Sequence, residues 1–329
     1  MEIFKSLYER VFSLSPEGFE SLAIELFNFQ YIHNPVYKAY VDNLTVKPEL
    51  VTNMTQIPFL PIELFKRHEI KTGSWKCETT FESSGTTGLV TSRHHVFKGE
   101  LYLRNCQRIF EAFYGAVSGY TVLALLPSYL EREHSSLVYM ARDFIDKSDD
   151  DRSGFFLDDQ ERLIRLLAEL QEEGKPTLLL GVTFGLLDLA ESFSLNLENI
   201  IVMETGGMKG RRKEMVRSEV HQVLTSAFGL KTIHSEYGMT ELFSQGYSKG
   251  WGVFTPGGSM KVFTRDINDP LHLSTNLRSG GLNIIDLANV HSCCFIETKD
   301  IGKVYENGDF EVLGRMDNSD IRGCNLMVV

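Results

Sequence analysis

Thr177-Leu178-Leu179-Leu180-Gly181-Val182 decides the fold. A run of apolar residues with no charge and no alternation reads as a strand buried on both faces, the signature of a parallel sheet. Just before it, residues 158–173 carry helical spacing that stops at Gly174-Lys175-Pro176. Working outward, 120–126, closed by Pro127, reads as a second buried strand, and 200–203 as a third. Helical patterns fall between and around them at 98–114, 135–145, 185–193 and about 213–228. Such alternation predicts βαβ units and a mostly parallel sheet covered by helices on both faces.

The flanks differ. Residues 2–42 read as helical, with Leu7 and Val11, then Phe19, Leu22, Ala23, Leu26 and Phe27, at three- and four-residue spacing. Ser15-Pro16-Glu17 predicts an N-cap followed by proline at the first helical position. Ile57-Pro58-Phe59-Leu60-Pro61-Ile62 reads as an extended connector, because each proline biases its predecessor away from helix. A short helix at 62–67 follows. The charge-rich stretch 146–152 reads as a solvated loop. Beyond about Gly250 the helical pattern fades into short strands with turn signals at Gly257-Gly258, Gly280-Gly281 and Asn307-Gly308-Asp309. The expected class is α/β, mixed or parallel sheets flanked by helices, with a β-rich C-terminal subdomain. The chain divides into 1–249, a helical N-terminal segment plus the α/β body, and 250–329, the β-rich part.

Composition excludes several classes. With 43% hydrophobic and 23% charged residues over 329 positions, the chain is an ordinary globular protein with a sizeable core. A net charge of −11 argues against nucleic acid as a partner, since phosphate neutralisation needs a basic face. The five cysteines (77, 106, 293, 294 and 324) form no C-x-x-C pair, which predicts reduced thiols in a cytoplasmic protein. No leader-like N-terminus and no run near the ~18 apolar residues of a membrane helix are present, so no membrane span is expected. Oligomeric state leaves no signature.

Five stretches carry possible chemistry. Ser83-Ser84-Gly85-Thr86-Thr87-Gly88 has glycines that allow close backbone approach, successive N–H groups that form an anion-binding concavity, and hydroxyl donors around it. It suits a phosphate chain. It is not the P-loop of nucleoside triphosphatases, because Gly88 is followed by Leu89 rather than lysine. Thr205-Gly206-Gly207-Met208-Lys209-Gly210-Arg211-Arg212 follows a strand, where open α/β sheets bind ligands. In Ser235-Glu236-Tyr237-Gly238-Met239-Thr240-Glu241, Glu241 is a hard oxygen ligand suited to Mg²⁺ on a triphosphate. Tyr237 offers a flat face to a base and Thr240 a hydroxyl to phosphate. Asp300, in Thr298-Lys299-Asp300-Ile301-Gly302, reads as a turn carboxylate able to accept ribose hydroxyls. Arg315, in Gly314-Arg315-Met316-Asp317, adds a planar donor fork.

In this order and spacing, the five motifs resemble the adenylate-forming superfamily of acyl-CoA synthetases, luciferases and peptide-synthetase adenylation domains, over about residues 57–324. The resemblance implies the large-domain fold of those enzymes and the cofactors ATP and Mg²⁺. By position, it implies that Ser83, Ser84, Gly85, Thr86, Thr87 and Gly88 hold the β- and γ-phosphates. Gly206, Gly207, Tyr237 and Gly238 line the adenine, Thr240 and Glu241 meet phosphate and metal, and Asp300 and Arg315 hold the ribose. Asp317 matches the hinge. Most members continue into a mobile lid carrying a lysine, whereas this sequence stops at Val329. That feature, with Leu126-Pro127-Ser128-Tyr129-Leu130-Glu131-Arg132 and an Arg-Gly-Cys at 322–324, is similar to the acyl-protein synthetases of the bacterial bioluminescence fatty-acid reductase complex.

The narrower resemblance implies a carbon–sulfur-bond-forming ligase that activates a fatty acid as its acyl-adenylate. The acyl group then moves to Cys324 and onward to an acyl-CoA-reductase-like partner. Lys209 or Arg211 is expected to replace the lid lysine, and an apolar acyl pocket is expected around 120–126 and 179–186. His134 and His234 are candidate wall residues. Three alternatives stay open: a ligase to coenzyme A or a carrier protein, a truncated ligase whose lid was lost, and a non-catalytic acyl- or nucleotide-binding scaffold.

Overall fold

A computed structural model describes residues 2–83, 90–127, 134–206, 215–267, 269, 273 and 279–316. Ser84 to Gly88, Gly207, Lys209, Arg211, Asp317 and Cys324 therefore lie outside the described residues. Three helices open the chain: α1 (Glu2–Phe12), α2 (Phe19–His33) and α3 (Pro35–Asn43). Then come β1 (Leu60–Pro61), α4 (Leu64–Arg67) and the antiparallel pair β2 (Thr79–Glu82) and β3 (Arg93–Val96). The central part runs α5 (Gly99–Tyr114), β4 (Thr121–Leu125), α6 (Ser136–Lys147), β5 (Gly154–Phe155), α7 (Gln160–Glu173), β6 (Thr177–Val182), α8 (Thr183–Ser192), β7 (Ile200–Thr205) and α9 (Arg217–Phe228). Seven strands complete it: β8 (His234–Tyr237), β9 (Gly246–Ser248), β10 (Val253–Pro256), β11 (Met260–Arg265), β12 (Gly280–Asp286), β13 (Phe295–Val304) and β14 (Phe310–Arg315).

One mixed sheet joins them in the order β11-β12-β13-β14-β10-β9-β8-β7-β6-β4-β5, with β1 added parallel to β13. From β5 to β8 every pairing is parallel, and from β8 to β11 every pairing is antiparallel. Period-2 geometry divides the apolar strands between two cores. Leu123, Leu125 and Leu179 face a cluster built with α7, α8 and α9. Val122, Ala124, Leu178 and Leu180 face the larger cluster, which also takes in α2, α5, α6 and the β-rich strands. Burial on both faces is why these strands read as unbroken apolar runs. Among the described residues no helix is long and apolar enough to cross a membrane.

Local chemistry accounts for the helix ends, with one correction. Asn34 caps α3 by accepting from Tyr37 N at 3.0 Å, and Asp159 caps α7 by accepting from Arg162 N at 3.2 Å. Gly174, left-handed at φ 64°, ends α7. Ser15, expected to cap a helix, makes no side-chain cap; Pro16–Gly18 forms one tight 3₁₀ turn and α2 starts only at Phe19. The 146–152 stretch is not uniformly solvated either. Asp150 is buried, accepting from Thr121 Oγ1 at 2.7 Å and from Arg152, so it ties that stretch to the start of β4.

Two expected turns are strand. Gly280 and Gly281 open β12, and a Cβ on Gly281 would meet the Arg265 guanidinium at 2.4 Å. Glycine there lets Arg265 lie across the strand and donate to the Leu282 and Thr298 carbonyls. Asp300 sits inside β13, next to a register shift between Ile301 and Gly302.

Candidate functional site

The site gathers at the carboxyl end of β8. Tyr237 is the last residue of that strand, and the chain then turns through Gly238 to Glu241. Buried groups hold this turn from several sides. The Asp286 carboxylate, at the end of β12, accepts from Phe243 N at 2.7 Å, Ser244 N at 2.9 Å and Ser244 Oγ at 2.6 Å. Asn289 Nδ2 donates to the Glu241 carbonyl at 2.9 Å, and Asn105 Nδ2 to the Phe243 carbonyl at 2.9 Å. His94 Nδ1 lies 2.8 Å from the Thr240 carbonyl; a carbonyl only accepts, so the proton is on Nδ1. Burial pushes the His94 pKa down to about 4, with His95 adding to the effect, so the ring stays neutral near pH 7.

Side chains from four separate segments converge on this turn. The Tyr237 phenol donates to Asp300 Oδ2 at 2.8 Å. Asp300 pairs across strands with Arg315, whose Nε is 4.0 Å from Oδ1 and whose side chain is two-thirds exposed. Ser83 and Ser92 are doubly bridged: Ser92 N donates to Ser83 Oγ at 2.9 Å, and Ser83 N to the Ser92 carbonyl at 3.1 Å. The buried Glu241 carboxylate sits beside Ser92. Burial raises the Glu241 pKa, opposed by Ser92 and Arg315 and reinforced by Asp300. Burial likewise raises Asp300, opposed by Tyr237 and Arg315. Two desolvated carboxylates beside one solvent-facing arginine make a site that gains from a cation or a hydroxyl-rich ligand.

Among the described residues no group of three or more His, Cys, Asp and Glu could enclose a metal. The donor set is a single buried carboxylate, Glu241, with Asp300 in its field. That suits Mg²⁺, which is content with one or two carboxylates when phosphate oxygens supply the rest.

Sequence reading missed the groups that aim these side chains. Asp286 and Asn289 lie some forty-five residues from the turn in sequence, so no local signal marks them. Gly206, left-handed at φ 72°, accepts through its carbonyl from Thr183 Oγ1 at 2.9 Å. Below it, Glu204 is buried, yet Arg217 (Nε at 3.0 Å), His221 and Ser235 hold its pKa below the usual range against the opposite pull of burial. Of the described histidines, only His94 touches the Thr240 turn by hydrogen bond. His134 accepts through its carbonyl from Glu82 N at 2.8 Å, and His234 sits at the opposite end of β8, 3.1 Å from the Tyr114 hydroxyl. The strands expected to line an apolar acyl pocket, β4 and β6, are wholly packed into the two cores.

No protein-family model matches the chain, and no curated protein matches it. Solved structures do. ATP-bound MatB from Rhodopseudomonas palustris superposes with a TM-score of 0.55 at 18% identity, over 74% of this chain and 49% of that one. 2-Hydroxyisobutyryl-CoA ligase, in complex with 2-HIB-AMP and CoA, gives 0.65 at 13% identity over 94% and 71%. O-succinylbenzoate coenzyme A synthetase (MenE) from Bacillus subtilis, in complex with ATP and magnesium ion, gives 0.51 at 16% identity over 73% and 50%. This chain therefore spans about half the length of MatB. The likeness shows the fold: a mixed sheet flanked by helices with a β-rich C-terminal part, the architecture of the adenylate-forming enzymes.

Proposed function

We propose that the chain activates a carboxylic acid with ATP as an acyl-adenylate and passes the acyl group to a thiol, that of its own Cys324. The observation that carries this reading is the convergence of Ser83, Tyr237, Glu241, Asp300 and Arg315 from four separated segments. ATP and magnesium ion in the MenE complex, and 2-HIB-AMP and CoA in the 2-hydroxyisobutyryl-CoA ligase complex, support the same chemistry.

A carboxylate oxygen attacks the α-phosphorus of ATP, the bond to pyrophosphate breaks, and a mixed anhydride remains. A thiolate then attacks the acyl carbon and AMP leaves with the electron pair. Asp300, one oxygen fixed by Tyr237, accepts ribose hydroxyls with the other, and Arg315 donates beside it. Ser83, fixed by Ser92, leads into Ser84, Gly85, Thr86, Thr87 and Gly88, which hold the phosphates. Glu241 would hold Mg²⁺, which when bound neutralises phosphate charge and favours departure of pyrophosphate. Gly206 and Gly207 border the adenine; Lys209 or Arg211 supplies the remaining positive charge.

Three of the four described cysteines are poor nucleophiles, which favours Cys324 as acceptor. Cys106, Cys293 and Cys294 are buried, and burial raises each thiol, Cys293 to about 12. Cys77 is half-buried and donates to the Thr79 carbonyl at 2.8 Å. Coenzyme A is the second reading for the acceptor, favoured by its presence in the 2-hydroxyisobutyryl-CoA ligase complex. Onward delivery to an acyl-CoA-reductase-like partner belongs to the first. Mass spectrometry after incubation with ATP, Mg²⁺ and acid separates the two. An acyl adduct lost in Cys324→Ala and kept in Cys77→Ser is expected, and an equal adduct in Cys324→Ala overturns the assignment.

A further inference from the structure

A row of polar residues crosses the sheet directly behind Tyr237 and Gly238. By strand register, Thr205 on β7 neighbours Glu236 on β8, and Glu236 neighbours Tyr247 on β9. Gln245, just before β9, closes on the same spot. A Cβ built on Gly238 would lie 2.5 Å from Glu236 Oε1 and 3.8 Å from Gln245 Cγ. From α5, Tyr102 and the Cys106 thiol complete the wall.

All of these side chains are buried, Gln245 at 2% and Tyr247 at 1% exposure. Yet Gln245 Oε1 and the Tyr247 hydroxyl have no hydrogen-bond partner. The amide is oriented by the Phe243 carbonyl, 3.5 Å from Nε2, so Oε1 is the atom left over. Glu236 accepts from the Thr205 hydroxyl. Burial, with Glu204 adding to it, raises the Glu236 pKa to about 7, so near neutrality the carboxyl also carries a proton to donate. Buried polar groups are almost always paired. An unpaired acceptor and an unpaired hydroxyl two residues apart along the chain, with the Glu236 carboxyl across the sheet from the tyrosine, mark a place a ligand completes. Tyr247, packed among Phe113 and Tyr114, closes the far end of the row before the surface groove lined by Lys249 and Trp251.

On the adenylation reading, on which this rests, we infer that the acid is short and ends in an uncharged hydrogen-bonding group, a hydroxyl or primary amide, that meets Gln245 Oε1 and the Tyr247 hydroxyl. A fatty acid is the wrong guest. Its methylenes would leave both polar atoms unpaired, and sites built for hydrogen bonds discriminate strongly against analogues that lack them.

Matched pairs of acids test this on the full chain with ATP and Mg²⁺: γ-hydroxybutyrate against pentanoate, succinamate against isocaproate, with tetradecanoate as the long acid. Two readouts run together, pyrophosphate release and the ligand-induced shift of melting temperature. The polar member of at least one pair should exceed its alkyl isostere in kcat/KM by at least ~10-fold, and Gln245→Leu should erase that preference. Equal or better turnover of pentanoate, isocaproate or tetradecanoate overturns the inference while leaving adenylation standing. A melting shift confined to the polar acids, with no pyrophosphate released, keeps the pocket and removes adenylation. No shift and no release from any acid overturns both.

Discussion

The two halves of the sheet place their polar groups in opposite ways. In the parallel half, β4 and β6 are buried at every position, and the functional polar groups wait at the strand ends: Glu204, Thr205 and Glu236. In the antiparallel half, polar side chains such as Asn283, Thr264 and Thr298 are also buried within the strands themselves, with Arg265 and Asp286 buried at strand ends. The difference follows from what each half supports. Parallel strands covered on both faces need only apolar bulk. The antiparallel strands reach across to the Thr240–Ser244 turn and to Asp300, and directional bonds are what hold a turn in place.

Removing a directional group should therefore cost more than trimming apolar bulk. Asp286→Ala leaves the Phe243 and Ser244 N–H groups and the Ser244 hydroxyl without their acceptor. At about 1–3 kcal/mol per orphaned buried group, a loss of roughly 4 kcal/mol is expected in urea unfolding, with nucleotide binding lost alongside. Leu179→Ala, in the cluster beneath α7 and α8, should cost about 3 kcal/mol and leave nucleotide affinity nearly unchanged in the folded fraction. If Leu179→Ala weakens nucleotide binding as much as Asp286→Ala does, the contrast between the halves fails.

The smallest effect is one of pH. Glu236 has a folded pKa of about 7 against an ordinary 4.5. Between those values the folded chain holds a proton that the unfolded chain has released. Stability should then fall as pH rises through that window, by on the order of 2 kcal/mol between about pH 5 and pH 7, and the slope should flatten in Glu236→Gln. A wild-type stability curve as flat as the variant's would mean that Glu236 is not buried as a neutral acid.

Much of this contrast was legible in the sequence, and unevenly so. The strand at Thr177–Val182 matches its apolar run residue for residue, because burial on both faces writes itself into composition. Tyr237, Thr240, Glu241, Asp300 and Arg315 were each readable as candidates, since their chemistry shows in the residue types. Their supports were not. Asp286 closes an apolar strand and looks like its end, and Gln30, which reaches the carbonyls of Asn289 and Val290, looks like any helix-surface glutamine. The glycine signal at Gly280-Gly281 misled because its purpose was room rather than turning: Gly281 makes space for Arg265. Gly257-Gly258 does turn, Met260 N donating to the Gly257 carbonyl at 2.8 Å, while also clearing Ile109 of α5, which a Cβ on Gly257 would meet at 2.6 Å. Non-local packing of that kind leaves no periodic trace.

The most direct test of the central claim is acid-dependent release of pyrophosphate from ATP by the full chain, measured in wild type and in Glu241→Gln. Glu241→Gln keeps the side-chain shape but removes the charge that would hold Mg²⁺, so a loss of about a hundredfold or more is expected, with no release when acid is omitted. Release that proceeds without any acid, or at an undiminished rate in Glu241→Gln, contradicts the account.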